Sequence, residues 1–235
     1  MMYALTASGE RIEATTSGEK AFCPACARVV VAKCGDFVVW HWAHMSGAAC
    51  SEDHERETPW HWRWKMLAPT SCREVYRGGR RADVLVDGTA IEFQHSHIKL
   101  ETVEKREAHW GDLVWVVDGV LAYENNQRNP YDTVGLLIEE RVGGGLSTLC
   151  KMVWFYGKKW PRECNKKVFI DLGGEGVDGL LFEVVKWWPT KSVIADGRLV
   201  SHRKFADRYL TPYIPKALLP PPKETDGLPL FGGAS

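Results

Sequence analysis

The chain reads as an α/β protein, a mixed sheet flanked by helices with a small metal-binding module before it and a β-rich unit after it. Three observations predict this. Two turn dipeptides, Gly78-Gly79 and Asp87-Gly88, separate runs of alternating apolar and polar residues and define a three-stranded meander. Two helical patterns, Thr58 to Ala68 and Lys99 to Trp110, flank it, the second leading into the apolar run Leu113 to Val117. Upstream, Cys23-x2-Cys26 and His41-x2-His44 carry metal-ligand chemistry. The resulting division is 1–50, 51–122, 123–210 and a tail at 211–235.

In the first module, Cys23-Pro24-Ala25-Cys26 has the spacing of a zinc knuckle. Strands predicted over Arg28 to Lys33 and Asp36 to Trp42 return the chain, so that His41 and His44 complete a tetrahedral site, with Cys34 and Cys50 competing for a place. A closed four-ligand site leaves no position for substrate, so this Zn²⁺ is structural.

Thr58 followed by Pro59 starts the first helix with a capping hydroxyl and a residue preorganised for the first helical position. Trp60, Trp64 and Leu67 form its apolar stripe, while His61 and Lys65 lie one turn apart on another face with Glu57 just ahead.

In the meander, a two-residue loop at Asp87-Gly88 makes Val86 face Thr89 and therefore Asp83 face Glu92. The same counting from Gly78-Gly79 sets Glu74 opposite Asp83. Gln94 shares the face of Glu92, and Val84, Val86, Ile91 and Phe93 take the other. Like charges paired across strands are destabilising, so this row needs a compensating cation, and oxygen ligands of this kind suit Mg²⁺ or Mn²⁺. The alternative is a half-exposed sheet whose acids pair with Arg77, Arg80 and Arg81.

The second helix turns Val103 and Trp110 inward with Arg106 between them. No acid lies one turn from Arg106, which leaves its fork for a phosphate or a distant carboxylate. Further on, Lys151, Lys158, Lys159, Arg162, Lys166 and Lys167 interleave with Trp154, Phe155, Tyr156 and Trp160. That mixture suits phosphates and stacked bases, and equally a surface strand with a lysine face and a buried aromatic face. Strands over Lys167 to Leu172 and Leu180 to Lys186 surround Gly173-Gly174, and Ser201 caps a short helix through Tyr209. Asp171 and Asp178 read as solvated loop-edge acids.

Arg81-Ala82-Asp83-Val84 followed by Ile91-Glu92-Phe93-Gln94-His95-Ser96 resembles the CoiA-like competence nucleases, a branch of the PD-(D/E)XK restriction-endonuclease-like group. Glu57 through Lys65 is similar to that family's Glu-x3-His-x3-Lys helix, Arg106-Glu107 to its arginine helix, and the Cys/His residues to its N-terminal module. The resemblance spans Phe22 to about Val117. It implies a restriction-endonuclease-like core in which Asp83 and Glu92 hold Mg²⁺ or Mn²⁺, with Glu74 of the same acidic row, placed by the hairpin counting, as a further ligand. Glu57, His61, Lys65 and Gln94 complete the catalytic set, and Arg81, Ser96 and Arg106 contact DNA, to which the basic and aromatic segment beyond the resemblance adds Lys158 and Lys159. Gln94 stands where the wider group has lysine, so Lys65 is expected to supply that charge.

The activity expected is that of a metal-dependent deoxyribonuclease, cutting endonucleolytically in DNA processing or recombination. Two other readings stay open: a DNA-binding recombination factor with a vestigial site, and a phage or defence nuclease acting on RNA or modified DNA. Composition suits either class. The 235 residues, 45% hydrophobic with 11 tryptophans, argue for a folded chain outside the Pro-rich tail. No apolar run approaches the ~20 residues of a membrane span and no secretory signal pattern opens the chain. A cytoplasmic setting is therefore expected, with the seven cysteines reduced. Within the tail, Leu228-Pro229-Leu230-Phe231 resembles peptides that dock bacterial DNA enzymes on the sliding clamp, without the usual glutamine.

Overall fold

A computed structural model of the chain describes residues 1–36, 38–45, 58–128, 135–140, 149–155, 157–174 and 178–212. Short runs of small and β-branched residues build the first sheet: β1 (Tyr3–Leu5), β2 (Arg11–Glu13), β3 (Lys20–Phe22), β4 (Val29–Gly35) and β5 (Val38–His44). They pair antiparallel in the order β2-β1-β3-β4-β5. One face closes a small core of Ala4, Ala21, Val30, Ala32 and Trp42 with Cys23 at its rim.

The second sheet holds nine strands among the described residues. Its first part is α1 (Pro59–Met66), β6 (Arg73–Arg77), β7 (Arg80–Val86), β8 (Thr89–Gln94), α2 (Leu100–Trp110) and β9 (Leu113–Asp118). Asp87 and Gly88 both take positive φ, 48° and 87°, as do Gly78 and Gly79, 57° and 78°. These are the primed turns expected there, and Val86 pairs with Thr89 and Arg77 with Arg80 as the loop length requires. Thr58 accepts from the His61 amide and caps α1, with Pro59 in its first turn. Helix α2 is the crossover that lets β9 run parallel to β8.

Alternation then divides the side chains. Val84, Val86, Ile91, Phe93, Val114 and Val116 pack with Trp60 and Trp64 of α1. Leu85, Ala90, Leu113, Trp115 and Val117 pack with Val103 and Trp110 of α2. Both faces of β7 to β9 are thus buried, which corrects the picture of a half-exposed sheet with a solvated acidic face.

The remaining elements are α3 (Val120–Arg128), β10 (Leu136–Glu140), β11 (Cys150–Trp154), β12 (Lys167–Asp171), β13 (Leu180–Trp187), β14 (Val193–Ser201) and α4 (His202–Phe205), followed by a π turn at Ala206–Leu210. The stretch 123–210 is β-rich as expected, but it does not form a sheet of its own. The strand order is β10-β11-β14-β13-β12-β9-β8-β7-β6, with β12 parallel to β9. Val168 and Ile170 share one core with Trp115 and Val117, so the boundary at residue 123 cuts through a single sheet. The basic and aromatic segment buries its two tryptophans and leaves Phe155 exposed. Trp154 and Trp160 are in the core, Trp160 meeting Trp115 at 5.4 Å, and Lys151 pairs with Glu139 at 3.4 Å. Tyr156 lies outside the described residues.

Candidate functional site

The acidic residues of the meander fall where the hairpins put them. Arg73–Val84 and Val75–Ala82 bracket Glu74 and Asp83, and Val84–Ile91 is the pair next to Asp83 and Glu92. Beyond that pair the β7–β8 ladder ends. The Phe93 amide donates to the Asp83 carboxylate at 3.0 Å, a side chain standing in for a backbone carbonyl. Asp83 and Glu92 therefore flank a fork between two strands.

Basic side chains enter this fork from both faces of the sheet. Lys65 of α1, with no solvent exposure, bonds Glu74 at 2.8 Å and approaches Asp83 to 3.7 Å. Arg81 lies 3.3 Å from Glu74, and Arg106 of α2 donates to Glu92 at 2.7 Å. Arg106 thus takes the distant carboxylate rather than standing apart for a phosphate. Asp83 and Glu92 are met from opposite helical layers, a geometry that differs from a single acidic row on one face. Among the described residues, Glu74, Asp83 and Glu92 do not bring ligand atoms within 4.8 Å of one another as a set of three.

Glu74 has a different position from the one expected of a metal ligand. Its backbone is left-handed, φ 44°, and its carboxylate is fully buried. One oxygen faces Lys65 and Arg81, and the other accepts from the amides of Met2 and Tyr3 in the N-terminal sheet at 2.7 and 3.4 Å. Burial works to raise this carboxyl, but Arg81, Lys65 and the chain's amino terminus together outweigh it and hold it well below the usual carboxylate range. Glu74 is the joint between the two sheets. Arg73 beside it bonds the Ala68 and Met66 carbonyls at the end of α1, and Arg11 reaches back to the Thr70 and Arg73 carbonyls.

The other nominated residues are dispersed. Gln94 is buried and donates to the Ser96 carbonyl at 3.3 Å, while Ser96 itself is exposed. His61 Nδ1 shares a hydrogen bond with the Thr58 hydroxyl at 2.8 Å. The Lys158 ammonium donates to the carbonyls of His95 and Asp118, so two of its donors serve the fold. Lys159 is exposed, and Glu57 lies outside the described residues.

In the N-terminal sheet, the Ala27 amide closes a turn on the Cys23 carbonyl with Ala27 at φ 55°. That turn carries Cys23 and Cys26 towards His44 at the end of β5. The three ligand atoms lie within 4.8 Å of one another, Cys26 Sγ and His44 Nε2 being 3.3 Å apart, and could hold a metal ion. Burial, then the amino terminus and Arg28, push the His44 imidazole below its ordinary pKa, favouring the neutral form that coordinates metal. His41 is not in this group. Strand β5 runs through to His44, and residues three apart in a strand point to opposite faces. His41 instead bonds its Nδ1 to the Val39 carbonyl at 2.7 Å. Cys34 is also outside the group, and Cys50 lies outside the described residues.

Residues 5–53 match the family model described as competence protein CoiA, N-terminal domain. That match supports the CoiA-like competence protein family. It covers most of the first sheet, including the Cys/His group. The fork and its charges lie beyond the CoiA match. No curated protein and no solved structure matches the chain significantly. No described helix is long and apolar enough to cross a membrane.

Sequence reasoning missed a fully enclosed acid. Asp171, expected in solvent, has no exposure. It accepts from the indoles of Trp60 and Trp64 at 2.8 and 2.9 Å, from the Gly173 amide at 2.9 Å, and pairs with His202 Nε2 at 2.9 Å. Burial works to raise its carboxyl, and the hydrogen bond and charge of His202 with those donors hold it below its ordinary value. Glu107 is likewise buried and accepts from Trp115 Nε1 and the Asn165 amide. The available signal was tryptophan in excess, since a buried indole N–H needs an acceptor.

Proposed function

We propose that this CoiA-like chain hydrolyses DNA phosphodiester bonds with a divalent metal, on a restriction-endonuclease-like core. The observation that carries the reading is the fork. Asp83 and Glu92 end a cross-strand ladder at the point where Lys65 and Arg106 converge from helices on the two faces. The order of elements supports it: a helix, an antiparallel three-stranded meander, a second helix, then a strand parallel to the third.

Asp83 and Glu92 suit a hydrated Mg²⁺ or Mn²⁺: both are hard oxygen donors on neighbouring strands, and neither is used to join the two sheets. Glu74 does not fit as a third ligand because both its oxygens are committed. When bound, such an ion polarises the phosphate and lowers the pKa of its water. The chain's own residues do the rest. Lys65 places a desolvated positive charge beside Asp83, Gln94 offers a neutral amide where the wider group has lysine, and Arg106, paired with Glu92, adds a guanidinium suited to a phosphate oxygen. Cys23, Cys26 and His44 suit Zn²⁺, with two thiolates and an imidazole, in a structural role.

The test is cleavage of linear, circular, single- and double-stranded DNA in Mg²⁺ or Mn²⁺. Asp83→Ala and Glu92→Ala are expected to lower the rate by about 10²-fold or more, and variants that cleave like the parent refute the reading. A second reading, a non-catalytic DNA-binding recombination factor, is favoured by one observation: Lys65, Arg81 and Arg106 already balance Glu74, Asp83 and Glu92. Such a protein shifts DNA with or without metal and shortens none. Action on RNA or modified DNA is read from the same assay with those substrates. Docking on the sliding clamp through Leu228 to Phe231 rests on residues outside those described, and an unchanged clamp affinity after deleting 226–235 disposes of it.

A further inference from the structure

The parallel strands β8, β9 and β12 end together at one edge of the sheet, where open α/β sheets bind ligands. Gln94 pairs with Val117 and Asp118 with Asp171, so His95 and Asp118 emerge side by side. Asp118 is fixed at both oxygens: Oδ1 accepts from the Val120 amide at 3.0 Å and Oδ2 from His95 Nδ1 at 2.6 Å. Lys158 ties the same two residues through their carbonyls. A carboxylate only accepts, so His95 Nδ1 carries a proton and Nε2 is the ring's other exchanging atom. The ring is half exposed, 47%, and faces His61 and Trp60 of α1 at centroid distances of 6.2 and 6.3 Å. Trp60 and Asp118 also line an open cleft of about 420 Å³ with Arg63 and Glu124. Capping α3 needs one oxygen of Asp118; the second orients a solvent-facing imidazole three residues beyond Glu92.

The geometry points to His95 as the proton donor to the leaving oxygen of the scissile phosphodiester, with Asp118 as its positioning residue, a role that rests on the hydrolytic reading above. In the step, a water oxygen bonds phosphorus and the bond from phosphorus to the bridging oxygen breaks. That oxygen takes the Nε2 proton of the His95 imidazolium. The neutral imidazole is then reprotonated from solvent, which receives the proton lost by the attacking water. Asp118 holds Nδ1 and orients the ring, and the other groups facing it are His61 and Lys158.

The experiment compares His95→Ala, His95→Gln and Asp118→Asn with the parent in Mn²⁺, on ordinary DNA and on oligonucleotides whose scissile bridging oxygen is sulfur, on the 3′ or the 5′ side. A thiolate leaves without a proton. The His95 variants are expected to lose about 10² to 10⁴-fold on the oxygen substrate and less than about tenfold on the matching sulfur substrate, with Asp118→Asn showing the same pattern at smaller size. Equal losses on both substrates, or none on either, overturn the assignment while leaving the hydrolytic reading intact. A parent that cleaves neither substrate overturns both.

Discussion

Glu74 and Asp171 show what a buried carboxylate does in this chain. Each is enclosed and ionised because its surroundings supply several donors, Lys65, Arg81 and two amides for one, His202, two indoles and an amide for the other. Removing the charge leaves those donors stranded, so Glu74→Gln and Asp171→Asn are each expected to destabilise by about 3–5 kcal/mol, read as a lower urea midpoint. Both carboxyls sit below their unfolded values. Their stabilisation is therefore complete above the unfolded value, near pH 4, and is lost as pH falls through the folded one. Asp171→Asn should flatten that acid limb of the stability curve. A limb as steep as the parent's shows that other groups drive acid unfolding.

At the scale of the element, hairpin chemistry and strand packing set the site. The primed turns at Gly78-Gly79 and Asp87-Gly88 fix a register whose last β7–β8 pair, Val84–Ile91, leaves Asp83 and Glu92 at the fork just beyond it, and a slip of one residue would send every side chain to the other face. Farther along the sheet, β14 approaches β13 so closely at Gly197 that an added Cβ would lie 2.2 Å from the Glu183 carbonyl and 2.5 Å from the Phe182 ring. Gly197→Ala should cost about 1–3 kcal/mol through overpacking, measured by chemical denaturation, whereas a neutral variant would show that β14 can shift.

For the whole molecule, the link between the two sheets passes through Glu74, so the metal-binding module and the charged fork share one side chain. Stripping metal from Cys23, Cys26 and His44 should loosen the first sheet before the second. Hydrogen exchange is expected to accelerate in β3 to β5 while β8 and β9 keep their protection; uniform acceleration would mean that the two sheets melt as one unit.

The sequence by itself determined the local devices: both turns and the register they impose, the Thr58 cap, the Cys23 to Cys26 knuckle and the strands at β12 and β13. Each depends on residues a few positions apart, where backbone preference and capping act. Only the tertiary structure decided that His41 faces away from its metal-ligand neighbours, that Asp171 is enclosed, that Arg106 is held by Glu92, and that β12 joins β9 in one sheet. Those depend on which faces meet across tens of residues, and burial and charge pairing at such distances arise from packing, which no local pattern records.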